Sequence, residues 1–224
     1  MAQGNEDLII KSQMEKMVDS YDSYMKKVTF GREHILRQAT IDLAGIQPGQ
    51  SVLEVGCGTG TLTLAAKRQA GPSGEAAGID IIPGMIEASR RKAAEAQEQI
   101  TFQEGSIANI PFPENHFDVV MCSFMIFHMS AETRRKGMAE IHRVLKPDGR
   151  LLLLDLALPS QPFQRAIAQR LLGFSAGENL RDLLPLMESS GFSDLEFGPA
   201  KFRIFGLSVI GYVRGKAKKT AGSI

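Results

Sequence analysis

Tryptophan is absent from the 224-residue chain, and cysteine occurs only twice, as Cys57 and Cys122. An aromatic stacking platform for nucleic acid would therefore have to be built from phenylalanine or tyrosine. Two cysteines are too few for a disulfide framework or a cysteine-rich zinc site, so we expect reduced thiols and a cytoplasmic location. His34, His116 and His142 show no metal-ligand spacing, and no metal ion is predicted.

Long apolar runs are missing as well. The longest ones, residues 119–127 and 151–158, are interrupted by Ser123 and Asp155 and fall short of the ~18 residues of a membrane span. The amino terminus, residues 1–11, is polar and lacks the basic and then apolar pattern of a signal peptide. The sequence therefore predicts no membrane span.

Net charge is small, because 26 basic residues face 25 acidic ones. That balance excludes a histone-like partner of polyanions and a strongly acidic disordered chain, and it makes nucleic acid an unexpected partner. One asymmetry remains, since residues 197–224 contain no acidic side chain. This stretch is interpreted either as a solvated basic tail or as a contact for an anionic membrane surface. Its basic residues are Lys201, Arg203, Arg214, Lys216, Lys218 and Lys219.

Strand-like and helical patterns alternate from residue 51 onward. Such alternation predicts βαβ units and a mainly parallel sheet, whereas the last two runs have no helix between them and predict an antiparallel hairpin. The predicted fold is α/β, a doubly wound, mostly parallel seven-stranded sheet with an antiparallel edge hairpin at the carboxyl terminus and a helical lid at the amino terminus. Strands are predicted at 51–55, 76–81, 100–103, 117–123, 150–156, 194–197 and 205–213, a turn at 147–149, and helices at 61–70, 83–97, 131–145, 162–173 and 178–190.

The sharpest local signal is the run from Leu53 to Gly60, which leaves a strand and opens a helix. Glycines let a backbone approach a ligand closely, and the start of a helix offers free N–H groups. Asp80 ends the next strand, where a carboxylate can bind a ribose diol. A tight turn without a ligand, with Asp80 as a helix cap, is the structural alternative.

Two ligand classes use such a loop, namely dinucleotides and S-adenosylmethionine. Pyrophosphate binding favours the spacing G-x-G-x-x-G, whereas the glycines here are Gly56, Gly58 and Gly60. Glu54 precedes them, and a carboxylate would repel a pyrophosphate but attract the ammonium group of a methionine moiety. The charge pattern therefore favours S-adenosylmethionine over a nicotinamide dinucleotide.

Between residues 51 and 155 the sequence resembles the class I S-adenosylmethionine-dependent methyltransferases, in the group that includes the ubiquinone and menaquinone biosynthesis methyltransferases. Five segments in the family's order carry this resemblance, and they point to a fold and a cofactor rather than to a substrate. The segments are Val52 to Gly60, Gly78 to Asp80 with Met85 and Ile86, Gly105 to Phe112, Phe117 to Val120, and Glu140 to Arg150.

The resemblance implies roles for individual positions. Glu54 and the glycines would hold the methionine end, Asp80 the ribose hydroxyls and Ile81 the adenine ring. Ser106 stands where the family commonly has aspartate, so the backbone N–H of Ile107 is expected to contribute more at the adenine edge. The implied binding residues for S-adenosyl-L-methionine, and for its product S-adenosyl-L-homocysteine, are Glu54, Gly56, Cys57, Gly58, Gly60, Asp80, Ile81, Met85, Ser106, Ile107, Cys122 and Ser123.

In related enzymes a helix at the amino terminus folds over the cofactor cleft. The resemblance therefore divides the chain into a lid at residues 1–47 and a cofactor-binding domain at 48–224, within one structural unit. Tyr21 and Tyr24 would shield the sulfonium with their ring faces, and Phe30 would complete the lid. Plain packing of an amphipathic helix is the alternative for both tyrosines.

His128 is the candidate catalytic residue, because it follows the fourth predicted strand and its neutral imidazole can act as a base. A cap for the helix that begins near Ser130 is the alternative. The quinone enzymes typically have Phe-Gly-x-Arg-Asn here, and the different stretch from Phe127 to Ser130 argues against a quinone acceptor. We predict methyl transfer to a small molecule with the acceptor atom left open. The alternative is a non-catalytic regulatory or assembly protein that binds S-adenosylmethionine.

Overall fold

The computed structural model describes residues 12, 14–157, 161–163, 166, 170, 179–204 and 206–219. Within these residues, one sheet has the strand order β3-β2-β1-β4-β5-β7-β6. Its strands are β1 (Ser51–Val55), β2 (Glu75–Asp80), β3 (Thr101–Glu104), β4 (Phe117–Ser123), β5 (Leu145–Leu156), β6 (Phe192–Pro199) and β7 (Ile210–Ala217).

Helices lie on both faces of this sheet, as the alternating pattern predicted. They are α1 (Tyr21–Val28), α2 (Glu33–Ala44), α3 (Thr61–Ala70), α4 (Pro83–Glu95), α5 (Ala131–Val144) and α6 (Leu184–Ser189). Short 3₁₀ turns occupy Val18–Ser20, Ile126–His128 and Leu180–Leu183. None of the helices in the described part of the chain is long and apolar enough to cross a bilayer.

Strand β1 lies at the centre of the parallel region, because Val52 pairs with both Ala76 of β2 and Val119 of β4. Nearly every residue of β1 and β4 is buried, as expected for strands that helices cover on both faces. The carboxyl ends of β1, β2, β4 and β5 therefore meet at one edge. Parallel sheets of this kind bind ligands beyond that edge.

The core has a layer on each side of the sheet. On one side Met138 and Ile141 of α5 pack with Leu153 of β5. On the other side Ile41 of α2 and Leu62 of α3 join a second buried cluster. Helix α2 is thus part of the packed core, whereas the backbone leaves helical geometry between α1 and α2 at Phe30 and Gly31, which have φ of 53° and 72°.

The sheet ends in the mixed arrangement that the sequence predicted, with one difference in position. Strand β7 runs antiparallel to both β5 and β6, but it begins at Ile210 rather than at residue 205. Phe202, Leu207 and Val209 are buried beside Leu36 of α2 without belonging to a named strand. Their apolar spacing imitates a strand because they pack as an irregular segment. Most of the predicted helix 162–173 lies outside the described residues.

The turn predicted at 147–149 lies inside strand β5. Phe117 pairs with Leu145 whereas Val119 pairs with Arg150, so the residues between Leu145 and Arg150 bulge out opposite Asp118. Asp148 has a φ of 59° at this bulge. A bulge within β5 therefore takes the place of the predicted turn, and β5 begins at Leu145 rather than at Arg150.

Candidate active site

The glycine loop between β1 and α3 turns sharply at the carboxyl edge of the sheet. Gly56, Gly58 and Gly60 have φ of 72°, 52° and 76°, a region that strains other residues. The N–H groups of Gly56 and Cys57 donate to the carbonyl of Ile79 at 2.8 and 3.0 Å. These donors are used within the protein, so fewer remain for a pyrophosphate than a dinucleotide loop would offer.

Asp80 lies beside the loop at the end of β2. Its Oδ2 accepts a hydrogen bond from the N–H of Gly58 at 2.9 Å, and its Oδ1 accepts one from the N–H of Ile82 at 3.0 Å. Burial raises the pKa of Asp80, and the bonds from Gly58 and Ile82 offset only part of that effect. The carboxylate is thus held in place by two backbone donors.

Glu54 is the most deeply buried acid of the site, with 1% of its surface exposed. Its Oε2 accepts a hydrogen bond from Thr63 at 2.5 Å and its Oε1 a long one from Ser123 at 3.4 Å. Burial raises the pKa of Glu54 to about 7, although the hydrogen bond from Thr63 and the charge of Arg37 act in the opposite direction. A cation bound next to this carboxylate would restore its ionised form.

Two side chains cover the glycine loop. A Cβ atom on Gly58 would lie 3.5 Å from the ring of Tyr21, and one on Gly56 would lie 3.0 Å from Met125. Burial raises the pKa of Tyr21, and the nearby charges of Glu54 and Asp80 raise it further. Tyr21 therefore lies within the field of both acids, at the mouth of the site.

The amino-terminal segment, here residues 14–44, is fastened to the loop by a polar cluster. Lys92 of α4 donates to Asp22 at 2.8 Å, to Thr59 at 2.9 Å and to Thr61 at 2.6 Å, while Thr59 donates to Asp22 at 2.6 Å. Burial opposes ionisation of Asp22, but the hydrogen bonds from Lys92 and Thr59 lower its pKa overall. Val18 also packs against Gly84 at the start of α4.

Residues 52–149 match the family model described as a methyltransferase domain. A demethylmenaquinone methyltransferase of Symbiobacterium thermophilum is 34% identical over 160 residues, which cover 70% of this chain and 62% of that protein. A ubiquinone/menaquinone biosynthesis C-methyltransferase of Hahella chejuensis is 32% identical over 192 residues, covering 83% of this chain and 73% of that protein. The chain belongs to this group of class I S-adenosylmethionine-dependent methyltransferases.

The solved structures agree on the fold of this methyltransferase. An S-adenosylmethionine-dependent methyltransferase from Aquifex aeolicus superimposes with a TM-score of 0.68 at 18% identity, over 91% of this chain and 98% of that one. This chain spans less than two thirds of the length of the Symbiobacterium relative.

The residues at the loop fit S-adenosylmethionine, which is the cofactor of this methyltransferase family. Two carboxylates, Glu54 and Asp80, flank the loop, and S-adenosylmethionine carries an ammonium group and a ribose diol that complement them. The buried Glu54 has no cation in hydrogen-bond contact among the described residues, and its raised pKa shows the cost of that arrangement. A pyrophosphate would add negative charge to the same place.

The residues predicted for the adenine side are placed unevenly. Ile81 is 45% exposed next to Asp80, whereas Met85 and Ile107 are each only 2% exposed. The side chain of Ile107 packs closely on Gly137 of α5, so any contact with a ligand would use its backbone. Ser106 accepts a hydrogen bond from the N–H of Ala108 at 3.2 Å and shapes the local turn.

The remaining residues predicted to bind the cofactor or to form the lid differ in their surroundings. Ser123 reaches Glu54, while Cys57 and Cys122 are free thiols buried in apolar clusters, where burial raises the pKa of each. In contrast to Tyr21, Tyr24 is 46% exposed and Phe30 is 59% exposed.

His128 ends the 3₁₀ turn Ile126–His128 and is exposed. Its capping alternative is wrong, because Ser130 caps α5 by accepting from the N–H of Thr133 at 3.1 Å. Among the described residues, no hydrogen bond or ion pair to its imidazole is found.

Several residues of the site were not predicted from the sequence. Arg37 has only 12% of its side chain exposed, hydrogen-bonds Glu33, and lowers the pKa of Glu54. Asp155, at the end of β5, is 5% exposed and keeps one buried oxygen, Oδ2, without a hydrogen-bond partner in the described structure. Its position one residue beyond the pair Ser123 and Leu154 was the available signal, since polar residues at this edge often serve ligands.

Proposed function

We propose that this methyltransferase acts on a small aromatic acceptor of the quinone class in its reduced, hydroxylated form. The observation that carries the proposal is the similarity to demethylmenaquinone and ubiquinone/menaquinone methyltransferases over most of the chain. The stretch from Phe127 to Ser130 differs from the usual quinone-enzyme motif and argued against this acceptor. The similarity outweighs that departure, because it extends through all the cofactor segments and into the carboxyl-terminal half.

In the proposed complex the chain's charges complement the ligand. Asp80 accepts from the ribose hydroxyls, Glu54 receives the ammonium group, and Arg37, whose charge acts on Glu54, binds the methionine carboxylate. The bound cofactor supplies an electrophilic methyl group on a sulfonium. Of the remaining predicted residues, Ile81, Ser106 and Ile107 stay assigned to the adenine side.

We propose that α1 and the 3₁₀ turn before it, within the predicted lid 1–47, act as a lid on the domain 48–224, whereas α2 belongs to the packed core. Tyr21 and Met125 cover the glycine loop and would exclude water from the methionine end. Proximity and exclusion of water account for much of the rate enhancement in a displacement that needs no covalent intermediate. The proposal also places the enzyme in the cytoplasm, where buried thiols such as Cys57 and Cys122 stay reduced.

His128 is proposed as the base that removes a hydroxyl proton from the acceptor. When that proton moves to the imidazole, the electron pair of the O–H bond becomes available to the ring, and a ring carbon forms the new bond to the methyl group. The methyl–sulfur bond breaks with its electron pair going to sulfur, and the ring then loses its own proton. No finding supports the non-catalytic alternative.

The test is turnover with a reduced demethylmenaquinone analogue, followed by mass spectrometry of the product. We expect a singly C-methylated product, and His128→Ala should lower the turnover number by ~10²–10⁴ if the residue is a general base. Binding of S-adenosylhomocysteine, measured by calorimetry on the same variant, should change little because His128 makes no hydrogen bond to Glu54 or Asp80 in the described residues. Unaltered turnover would remove His128 from the reaction, and methylation of a different acceptor class alone would refute the quinone assignment.

A further inference from the structure

Exposed apolar side chains are concentrated on one short part of the chain. Of the eight large hydrophobic side chains that are exposed among the described residues, four fall between residues 24 and 35. They are Tyr24, Val28, Phe30 and Ile35, with exposures of 46, 38, 59 and 37%. Single exposed apolar residues are ordinary on a protein surface, whereas a group of them within about a dozen residues marks an interaction site.

Positive charge accompanies these side chains. Residues 23–32 include Lys26, Lys27 and Arg32 but no acidic residue. The two acids that flank the stretch are already paired, Asp22 with Lys92 and Glu33 with Arg37. Tyr24, Lys27 and Val28 share one side of α1, and Phe30 and Arg32 follow in the turn after it; these five residues are called the outer face of α1 below. Lys26 lies on the other side of the helix, where it lines a pocket with Asp22 and Lys92.

A second basic segment adjoins the outer face of α1. Arg32 donates to the carbonyl of Arg203 at 3.2 Å, and its guanidinium lies 5.2 Å from the ring centre of Phe202. This contact brings the exposed residues Lys201 and Arg203 beside the apolar group.

The rest of the basic carboxyl-terminal stretch is largely engaged inside the protein. Arg214 pairs with Glu196, Lys216 pairs with Asp194, and Lys219 donates to Asn115. The positive charge that the sequence places near the carboxyl terminus is therefore available to a partner mainly at residues 201–203.

We propose that the outer face of α1, together with residues 201–203, docks on the surface of an anionic phospholipid bilayer. Aromatic and aliphatic side chains interleaved with lysine and arginine are the composition of segments that lie in a membrane interface, where the apolar parts enter the headgroup region and the cations stay with the anionic lipids. A folded partner protein or a second copy of the chain would not require this uniform positive charge.

Docking there would orient the active site. Tyr21, which covers Gly58, lies one turn before Tyr24 on the same side of α1, and the neighbouring Asp22 is bound to Thr59. A bilayer against the outer face would thus place the covered cofactor loop beside the membrane, within reach of a lipid-soluble acceptor. The inference goes beyond the proposed function, and vesicle binding can be measured without any turnover, so either can fail alone.

The test is co-sedimentation of the full chain with vesicles of phosphatidylcholine alone and of phosphatidylcholine mixed with phosphatidylglycerol. We expect binding to the mixed vesicles only, and weaker binding at high salt because exposed charges are screened. The double variant Lys27→Glu/Lys201→Glu should weaken binding by at least ~25-fold, since each lost cation near such a surface is worth roughly fivefold. Tyr24→Ser should weaken it at unchanged charge.

The matched control is Arg135→Glu/Lys136→Glu, which reverses two exposed basic residues of α5. Thermal melting without ligand should give both double variants the melting temperature of the wild type, which confirms that each is folded. The proposal is overturned if the Lys27/Lys201 variant sediments like the wild type, if the control variant loses as much, or if pure phosphatidylcholine binds equally. A dimer that Tyr24→Ser dissociates, without any vesicle binding, would instead assign the face to self-association and refute the proposal.

Discussion

Glu54 couples the protonation state of the site to its occupancy. The buried carboxyl has a pKa of about 7, and only its ionised form attracts an ammonium group. Affinity for S-adenosylhomocysteine should therefore fall as the pH drops below 7, by up to about tenfold per pH unit. Calorimetry from about pH 5 to pH 8 measures this, and proton release on binding should appear as a dependence on the buffer.

The variant Glu54→Gln keeps the shape of the side chain and removes its titration. It should bind more weakly at pH 8 and show a nearly flat pH profile below pH 7. Glu75→Gln, at the exposed start of β2, is the matched control and should behave as the wild type. A slope that persists in Glu54→Gln would assign the titration to another group.

Asp80→Asn separates binding from folding at the second acid. Because burial raises the pKa of Asp80, loss of the charge alone should cost the apo protein little stability. Asparagine keeps only one acceptor oxygen, so the N–H of Gly58 or of Ile82 loses its partner, which should cost ~1–3 kcal/mol. Loss of the charge should weaken binding of S-adenosylhomocysteine by more than about tenfold, since a hydrogen bond to a charged group is worth ~1.5–3 kcal/mol. Thermal melting with and without ligand measures both effects. An apo protein that melts far below the wild type would make Asp80 mainly a structural residue.

The sequence predicted Glu54 and Asp80 because each stands next to a local pattern, a glycine run or a strand end. It did not predict Lys92 or Arg37, because their partners lie far away in the chain. Asp22 and Lys92, for example, are separated by 70 positions. Charged residues on amphipathic helices look alike in a sequence, and only the packing of α1 and α2 beside the loop distinguishes these two.

At the scale of elements, the cluster of Asp22, Thr59 and Lys92 is expected to hold the amino-terminal segment closed. Lys92→Met keeps the length of the side chain and removes all three of its hydrogen bonds. Hydrogen exchange should become faster across residues 18–28, and S-adenosylhomocysteine should dissociate several-fold faster.

Lys136→Met, whose side chain bridges only to Glu132 on the surface of α5, serves as the control for this experiment. Slow exchange of residues 18–28 in Lys92→Met would show that apolar packing around Met25 and Val18 holds the segment in place. The lid would then be a fixed part of the core.

The same scale explains which elements the sequence predicts well. The sequence predicts β1, β4 and most of β5 because both faces of these strands are buried and their apolar runs are continuous. The predicted strand 205–213 begins before β7, because Leu207 and Val209 are buried in an irregular segment that packs on α2. Burial alone gives both regions the same composition, and only the pairing of β7 with β5 and β6 decides between them.

For the whole molecule, the buried acids should make the apo protein less stable to unfolding as the pH rises. The pKa of Glu54 is raised from 4.5 to about 7 and that of Asp155 from 3.8 to about 6, so the native state binds more protons than the unfolded state between about pH 4 and pH 7. The free energy of unfolding should therefore decrease as the pH rises through this range, by at most ~1.4 kcal/mol per pH unit for each group.

Urea unfolding at pH 5 and pH 7 measures this slope, and Glu54→Gln/Asp155→Asn should reduce it. His142 contributes in the opposite direction because burial lowers its pKa, but that contribution is common to both proteins. A double variant with the same slope as the wild type would show that other groups determine the acid stability.

The position of β7 has a consequence for the order of assembly. Strand β6 is complete once Pro199 has been synthesised, yet within the described sheet its neighbour is β7, which ends at Ala217. During synthesis β6 therefore has unpaired backbone edges until β7 has been inserted beside β5. A chain truncated between residues 199 and 210 would lack two strands of the sheet rather than one. The edge of β5 would then be exposed and open to association with other chains.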